Sequence, residues 1–169
     1  MEREKRLIGL YERVYMRKRH AMALSILGHA AVVLVAAVFL ALNIDLVVKG
    51  KYIEAVKIVL MSGIPFVLVS LLRRIVNCER PYEVFDTEAL AELKKKRKSG
   101  RSFPSRHVFS AFLIGTVTVF YYPLLGVGAF LAGLTLAVER VFLGIHFPKD
   151  VLVGAFIGVA SGLLGILIL

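Results

Sequence analysis

The sequence contains one cysteine, Cys78, among 169 residues, which excludes an intramolecular disulfide framework and a cysteine-rich metal site. A catalytic metal site usually needs three convergent ligands or a pair of carboxylates, and no such grouping stands out along the chain. Internal repeats and low-complexity segments are lacking as well. We therefore expect no metal and no other cofactor.

Long apolar blocks dominate the chain. Apolar residues make up 58% of the sequence and the mean hydropathy is +0.77, whereas a soluble domain is about 45–50% apolar. The first block is too long for the core of a signal peptide and has no small-residue cleavage site after it. Because about 20 apolar residues cross a bilayer as a helix, the sequence predicts an all-α integral membrane protein. Its membrane domain, residues 21–169, should contain five transmembrane helices at about 21–42, 52–75, 106–122, 124–143 and 151–169.

Residues 1–20 form a basic segment ahead of the first block. Its apolar residues Leu7, Tyr11, Val14 and Tyr15 recur at helical spacing beside a basic face. This pattern is typical of an amphipathic helix that lies in the membrane interface. A frayed cytoplasmic tail explains the same residues equally well, so both interpretations stay open.

The net charge of +10 is concentrated in the N-terminal segment and in residues 94–101. Basic loops beside membrane spans usually lie on the cytoplasmic side and contact anionic headgroups. This places the N-terminus and the loop of residues 77–104 in the cytoplasm, with a short helix predicted at 87–98. Aromatic residues are not interleaved with the cations as in nucleic-acid-binding modules, so we expect no nucleic acid partner.

The last apolar block carries Gly154, Gly158 and Gly162 at four-residue intervals. Small residues at this spacing let two helices approach closely. We expect the glycines to pack inside the chain rather than between two copies, although a monomer and a homodimer both stay open.

Three polar clusters lie at the ends of apolar blocks, on the same predicted side of the membrane. They are Arg73 with Arg80-Pro81; Pro104-Ser105-Arg106-His107; and Arg140 with His146 and Asp150. Arginines at span ends often only snorkel to the interface. A carboxylate four residues after a histidine is stronger evidence of function, because it can fix the tautomer of the imidazole. Together, in this order and on one side, the clusters indicate a functional site.

In these clusters the sequence resembles the type 2 phosphatidic acid phosphatase superfamily, which shares its site with bacterial acid phosphatases and vanadium haloperoxidases. The family pattern is Lys, six residues, Arg-Pro; then Pro-Ser-Gly-His; then Ser-Arg, five residues, His, three residues, Asp. Residues 73–150 keep every internal spacing of that pattern.

The resemblance implies a metal-independent phosphatase in which His146 is the nucleophile, Asp150 orients it and His107 protonates the leaving oxygen. It also implies four residues that hold the phosphate oxygens: Arg73, Arg80, Ser105 and Arg140. These roles suit the chemistry, because phosphoryl transfer depends mainly on positioning and electrostatic stabilisation. Arginine grips two oxygens at once and stays charged at any working pH.

Three residues depart from the family pattern. Arg73 replaces a lysine, Arg106 replaces a glycine and Glu139 replaces a serine. One hypothesis is that Arg106 and Glu139 form an ion pair in which each compensates the other. The alternative is that Arg106 contacts the substrate and favours a more anionic headgroup such as a diphosphate.

The resemblance and the composition together predict a multi-pass enzyme of a bacterial inner membrane, with its site on the cytoplasmic face. Phosphatidic acid, phosphatidylglycerol phosphate and a polyprenyl diphosphate all fit as substrates. A lipid phosphotransferase would use the same phosphohistidine and pass the phosphate to an acceptor other than water. A small transporter or channel subunit and an inactive lipid-binding relative are the alternatives outside the enzymes.

Overall fold

A computed structural model of the chain describes residues 2–16, 18–85, 87–96 and 99–168. Within these ranges the regular elements are all helices, which confirms the predicted all-α fold. In chain order they are α1 (Glu2–Met16), α2 (Lys18–Val48), α3 (Tyr52–Val76), α4 (Pro81–Val84), α5 (Glu88–Lys96), α6 (Arg106–Tyr121), α7 (Pro123–Phe142) and α8 (Pro148–Ile168). The short helix predicted at 87–98 corresponds to α5.

Four helices in the described part of the chain, α2, α3, α7 and α8, are long and apolar enough to cross a membrane. The fifth predicted span corresponds to α6, which has 16 residues and therefore a length of about 24 Å. This helix is the most enclosed of the bundle, and Val108, Phe109 and Leu113 are almost completely buried. The five predicted blocks therefore match five helices, of which α6 is short and lies inside the other four.

The first span extends further than predicted, because α2 continues from the expected end at residue 42 to Val48. Leu42 and Leu46 are both buried against α3, so the additional turns gain packing on the bundle. Asp45 in this stretch pairs with Lys49 at 2.9 Å and accepts a hydrogen bond from the Tyr122 hydroxyl. Asp45, which lies between the first two predicted spans, therefore has one partner directly after α2 and another directly after α6.

The glycine stripe of α8 packs against α6 inside the chain, as predicted. A Cβ at Gly158 would lie 2.5 Å from the carbonyl oxygen of Phe109, and one at Gly154 would lie 2.7 Å from that of Ser105. The backbones of the two helices are therefore in direct contact. This contact brings the N-terminal ends of α6 and α8, which carry His107 and Asp150, to the same end of the bundle.

The N-terminal segment is helical, and α1 turns its apolar stripe towards the protein. Tyr11 is fully buried, and its ring centroid lies 6.1 Å from that of Phe85, in a cluster with Tyr82 and Leu90. Val14 packs in a second cluster with Leu143 and Ile145. The side chain of Tyr15, which we also placed in the stripe, lies outside the described residues. The helix α1 therefore covers the loop that follows α7.

Candidate active site

Arg73 connects the first polar cluster to the second. It lies near the C-terminal end of α3, where its side chain is buried. The guanidinium donates hydrogen bonds to the carbonyl oxygens of Ser102, at 3.3 Å, and Pro104. Both acceptors belong to the extended segment that leads into α6. The end of α3 is thereby held against the start of α6.

Arg80 connects the first cluster to the third. It directly precedes α4, and its backbone N–H donates to the Glu83 carboxylate at 2.8 Å. Its guanidinium donates to the carbonyl oxygens of Gly100, at 3.0 Å, and Ile145, at 3.3 Å. The Glu83 carboxylate also accepts the Gly100 N–H at 2.9 Å. Arg80 therefore lies beside the residue that precedes His146, as the sequence prediction required.

His146 and Asp150 form a buried pair at the start of α8. The His146 Nδ1 lies 3.5 Å from the Asp150 Oδ2, and both side chains are almost fully buried. The same carboxylate oxygen accepts the backbone N–H of Phe147 at 3.0 Å. Because the carboxylate faces Nδ1, the other ring nitrogen, Nε2, points away from Asp150. This arrangement fixes the orientation that a nucleophilic imidazole needs.

The electrostatic surroundings keep His146 neutral. Burial lowers the pKa of the His146 imidazole to about 4, and the positive charges of Arg80 and Arg73 act in the same direction. The hydrogen bond with Asp150 opposes this shift without cancelling it. The imidazole therefore has an available lone pair near neutral pH, as nucleophilic catalysis requires.

Ser105 and His107, which belong to the second cluster, lie near Asp150 and His146. The Ser105 hydroxyl is fully buried and has no hydrogen-bond partner among the described residues. The Ser105 N–H donates to the Asp150 carbonyl oxygen at 2.9 Å, so the start of α6 is attached to the start of α8. His107 is exposed and lies close enough to Arg140 and His146 to interact with them electrostatically. The site thus contains two histidines, a buried carboxylate and several guanidinium groups.

Comparison with known proteins identifies the family of this chain. The family model of the PAP2 superfamily matches residues 54–169. The chain belongs to the PAP2 superfamily. Among solved structures, the crystal structure of LpxE from Aquifex aeolicus superposes with a TM-score of 0.67 at 26% identity and covers 94% of this chain and 93% of that one.

Two further proteins are similar to this chain. A transmembrane PAP2-type phosphatidylglycerolphosphate phosphatase from Bacillus subtilis superposes with a TM-score of 0.56 over 98% of this chain and 94% of its own. Its sequence identity of 18% supports the fold alone. The Bacitracin transport permease protein BcrC of Bacillus licheniformis is 28% identical over 106 residues, which are 62% of this chain and 52% of that protein. The chain therefore spans about half the length of this relative.

Arg140 and Glu139 lie together at the end of α7. The Arg140 Nε is 3.1 Å from the Glu139 Oε2, and both residues are buried. The Arg140 carbonyl oxygen accepts the N–H groups of Ile145 and His146, each at 3.0 Å. The residue that the PAP2 pattern assigns to phosphate binding therefore also shapes the turn that carries His146.

Arg106, the most conspicuous departure from the PAP2 pattern, reaches towards α3. Its guanidinium donates to the Ser70 hydroxyl at 3.4 Å, and its central carbon lies 5.6 Å from the centroid of the Phe66 ring. Glu139 is engaged with Arg140. The structure gives Arg106 and Glu139 different partners, so it offers no support for the hypothesis that they pair.

Ser102 is a site residue that sequence reasoning missed. Its hydroxyl is fully buried, donates to the Asp150 Oδ2 at 2.5 Å and lies 3.3 Å from the His146 Nδ1. No spacing rule points to this position, and it lies outside the three clusters. The only signal was a small polar residue close before Ser105, which many loops contain. Ser102 holds the carboxylate that in turn holds the imidazole.

The N-terminal helix α1 places Tyr11 close to Asp150. Tyr11 lies near enough to Asp150 for the carboxylate charge to act on its phenol, and burial together with that charge raises the pKa of Tyr11 to about 12. The Tyr11 hydroxyl therefore stays protonated at any working pH. The described residues contain no group of three or more His, Cys, Asp or Glu side chains arranged to hold a metal ion.

Two cavities of different character meet at the site. A polar cavity of about 660 Å³ is lined by five arginines together with Ser70, Asn77, Ser99 and Gly100. The arginines are Arg73, Arg74, Arg80, Arg101 and Arg106. A second cavity, of about 240 Å³, is apolar and includes His107, Phe66 and Leu136 in its lining. Arg106 lines both cavities.

Proposed function

We propose that this protein is a membrane phosphatase that hydrolyses a phosphate group of a lipid through a phosphohistidine at His146, without a metal. One observation carries the proposal: next to the oriented His146–Asp150 pair, Arg80 bonds to Ile145 and lines an arginine-rich cavity, which shares Arg106 with an apolar cleft. Membership of the PAP2 superfamily supports it.

In the first step, the Nε2 of His146 attacks the phosphorus atom while the bond from phosphorus to the leaving oxygen breaks. Negative charge develops on the oxygens of the transferring group, and Arg73, Arg80 and Arg140 stabilise it. His107 donates a proton to the leaving oxygen as general acid. Asp150 stabilises the positive charge that appears on the His146 ring.

In the second step, water replaces the imidazole at the phosphorus atom. His107, which lost its proton in the first step, accepts one from the attacking water. The nitrogen–phosphorus bond breaks, inorganic phosphate leaves, and both histidines return to their starting states. The Ser105 hydroxyl, which is buried beside the start of α6 and has no hydrogen-bond partner among the described residues, would donate a hydrogen bond to a phosphate oxygen throughout.

The apolar cleft is suited to the lipid chain. Val32 and Val35 of α2, Phe66 of α3 and Leu136 of α7 line it around His107. A further apolar cavity of about 340 Å³ shares Phe66 with the cleft and continues along α6. A lipid whose headgroup reaches the arginines would therefore place its chain against the helices, in surroundings as apolar as the bilayer that it leaves.

Phosphate release from defined lipids tests this function. The purified protein in detergent should release inorganic phosphate from at least one of phosphatidic acid, phosphatidylglycerol phosphate and a polyprenyl diphosphate. The rate should be unchanged when EDTA is present, because the proposed nucleophile is an imidazole. Loss of activity in EDTA, with recovery after addition of a divalent cation, would contradict the metal-independent mechanism. Transfer of the phosphate to an added alcohol in preference to water would instead indicate a phosphotransferase.

We further propose that the site faces the cytoplasm of a bacterial cell, because Lys94 and Lys95 of α5, together with Arg101, lie at its end of the bundle. Cys78, the only cysteine, is partly exposed at this end. A membrane-impermeant maleimide should therefore label Cys78 in inside-out vesicles and leave it unlabelled in intact spheroplasts. Labelling confined to the spheroplasts would place the site on the opposite face. Labelling after detergent lysis, absent in Cys78→Ser, is the control for reactivity.

A further inference from the structure

Arg106 occupies a position between the two cavities of the site. It is the first residue of α6 and lines both the polar cavity and the apolar cleft. Ser70 and Phe66, one turn apart on α3, hold its guanidinium at the boundary between them. A substrate with its lipid chain in the cleft and its phosphate groups in the polar cavity would therefore pass this guanidinium.

The charge of the polar cavity exceeds what one phosphate needs. Five arginines line it, and none of its described lining residues is acidic. A phosphate monoester carries about 1.5 to 2 negative charges at neutral pH. Arg73 and Arg80 already serve the reacting group, with Arg140 behind it. The Glu83 carboxylate, which accepts the backbone N–H groups of Arg80 and Gly100, offsets one of the five charges. Arg74, Arg101 and Arg106 still add more positive charge than a single phosphate balances, and a second phosphate would take up this excess.

We propose that Arg106, supported by the field of Arg74 and Arg101, forms a second anion-binding subsite that takes the inner phosphate of a lipid diphosphate. The terminal phosphate then lies beside His146, Arg73 and Arg80, and the chain lies in the apolar cleft. This inference rests on the proposed function and specifies its substrate class. It also gives Arg106 a role that the glycine of the PAP2 pattern cannot perform.

The reaction balances as a hydrolysis. His146 attacks the terminal phosphorus, and the bond between that phosphorus and the bridging oxygen breaks, leaving the bridging oxygen on the inner phosphate. A lipid monophosphate departs with the electron pair of the broken bond, and Arg106 stabilises its charge. Water then cleaves the phosphohistidine, so that one lipid diphosphate and one water give one lipid monophosphate and one inorganic phosphate.

The test compares two substrates that share one isoprenoid chain and differ in a single phosphate. For Arg106→Gln, kcat/KM should fall by about 10- to 100-fold on the diphosphate, the range expected for losing a charge-assisted hydrogen bond. The loss on the monophosphate should be at least ten times smaller. Arg106→Lys should recover part of the loss on the diphosphate, because the charge remains while the planar fork is gone. Equal losses on both substrates would overturn the proposal.

A matched control and a binding measurement complete the design. Arg13→Gln removes the same charge from α1, where the exposed side chain donates to the Gly9 carbonyl oxygen of the same helix, and should leave both substrates unaffected. Binding of a non-hydrolysable lipid methylenediphosphonate, compared with the corresponding phosphonate, separates the two proposals. If neither substrate is hydrolysed and Arg106→Gln still weakens diphosphonate binding alone, the subsite stands and the phosphatase proposal fails. If Arg106→Gln leaves diphosphonate binding unchanged, the subsite is wrong whatever the catalytic result.

Discussion

Replacing His146 by alanine is expected to reduce phosphate release by at least about 10⁴-fold, because the covalent route disappears with the nucleophile. Burial keeps this imidazole neutral, and the Asp150 carboxylate holds its Nδ1 side at 3.5 Å. No other described side chain combines this orientation with the proximity of Arg80 and Arg140. The measurement is the initial rate of phosphate release from whichever lipid phosphate the wild-type protein hydrolyses.

His29→Ala is the matched control for this variant. His29 lies on α2, is exposed, and has its Nδ1 2.6 Å from the carbonyl oxygen of Ser25. Its removal should leave turnover within about twofold of the wild type, as is usual for surface changes. A His146→Ala protein that elutes as a folded species and retains a tenth of wild-type activity would show that His146 is not the nucleophile.

Replacing Asp150 by asparagine is expected to reduce turnover by about 10²–10³-fold, the range for losing one preorganised electrostatic contact in an active site. The Ser102 hydroxyl and the Phe147 N–H both donate to the Oδ2 of Asp150. The amide oxygen of the asparagine should take that position, so the variant keeps these bonds and loses the charge. Asp150→Asn therefore isolates the stabilisation of the imidazolium that forms during transfer.

The pH dependence separates this positioning role from a merely structural one. The neutral imidazole is the active form, so kcat/KM should fall as the pH drops through the His146 pKa of about 4. The hydrogen bond with Asp150 raises that pKa, so its weakening in Asp150→Asn should move the acid limb to still lower pH. If Asp150→Asn lowers the plateau of kcat/KM but leaves the acid limb at the wild-type pH, Asp150 does not have this positioning role. Asp45→Asn, at the opposite end of the bundle, is the control for destabilisation by loss of a carboxylate.

The membrane helices were predictable from the sequence because hydropathy alone determines which segments can enter a bilayer. The ends of the helices were less predictable. The first span was predicted to end at residue 42, yet α2 runs to Val48 because Asp45 finds Lys49 and Tyr122 as partners. The contact between Asp45 and Tyr122 joins residues that are far apart in the sequence, and a hydropathy pattern does not predict such contacts.

The site was predictable where its residues follow a fixed spacing. Arg73, Arg80, His107, His146 and Asp150 were named from the three clusters, and the structure brings them together at one end of the bundle. Because α6 and α8 pack along the glycine stripe, the clusters at their starts have little freedom to lie apart. The spacing of the motifs and the packing of the helices therefore specify the same arrangement.

Contacts that depend on side-chain direction were not predictable. Ser102 reaches Asp150 from an extended segment without periodicity, so no pattern marks it. Arg106 was given Glu139 as a hypothetical partner because their charges are opposite, whereas the structure places its guanidinium on Ser70 and Phe66. The direction of the α1 stripe, towards the protein, likewise depends on Phe85 and Leu90, which lie about 80 residues later in the chain.

The chemical state of His146 during turnover tests the central claim most directly. The protein is mixed with a substrate labelled in its reacting phosphate, and the reaction is quenched within the first turnover. The quench uses an alkaline denaturant because nitrogen–phosphorus bonds survive in alkali. The protein is then digested for mass spectrometry. We predict a phosphorylated peptide modified on His146, which appears before the steady state and is absent from His146→Ala. Phosphate attached to any other residue, or labelled product formed at the full rate by His146→Ala, would contradict the mechanism.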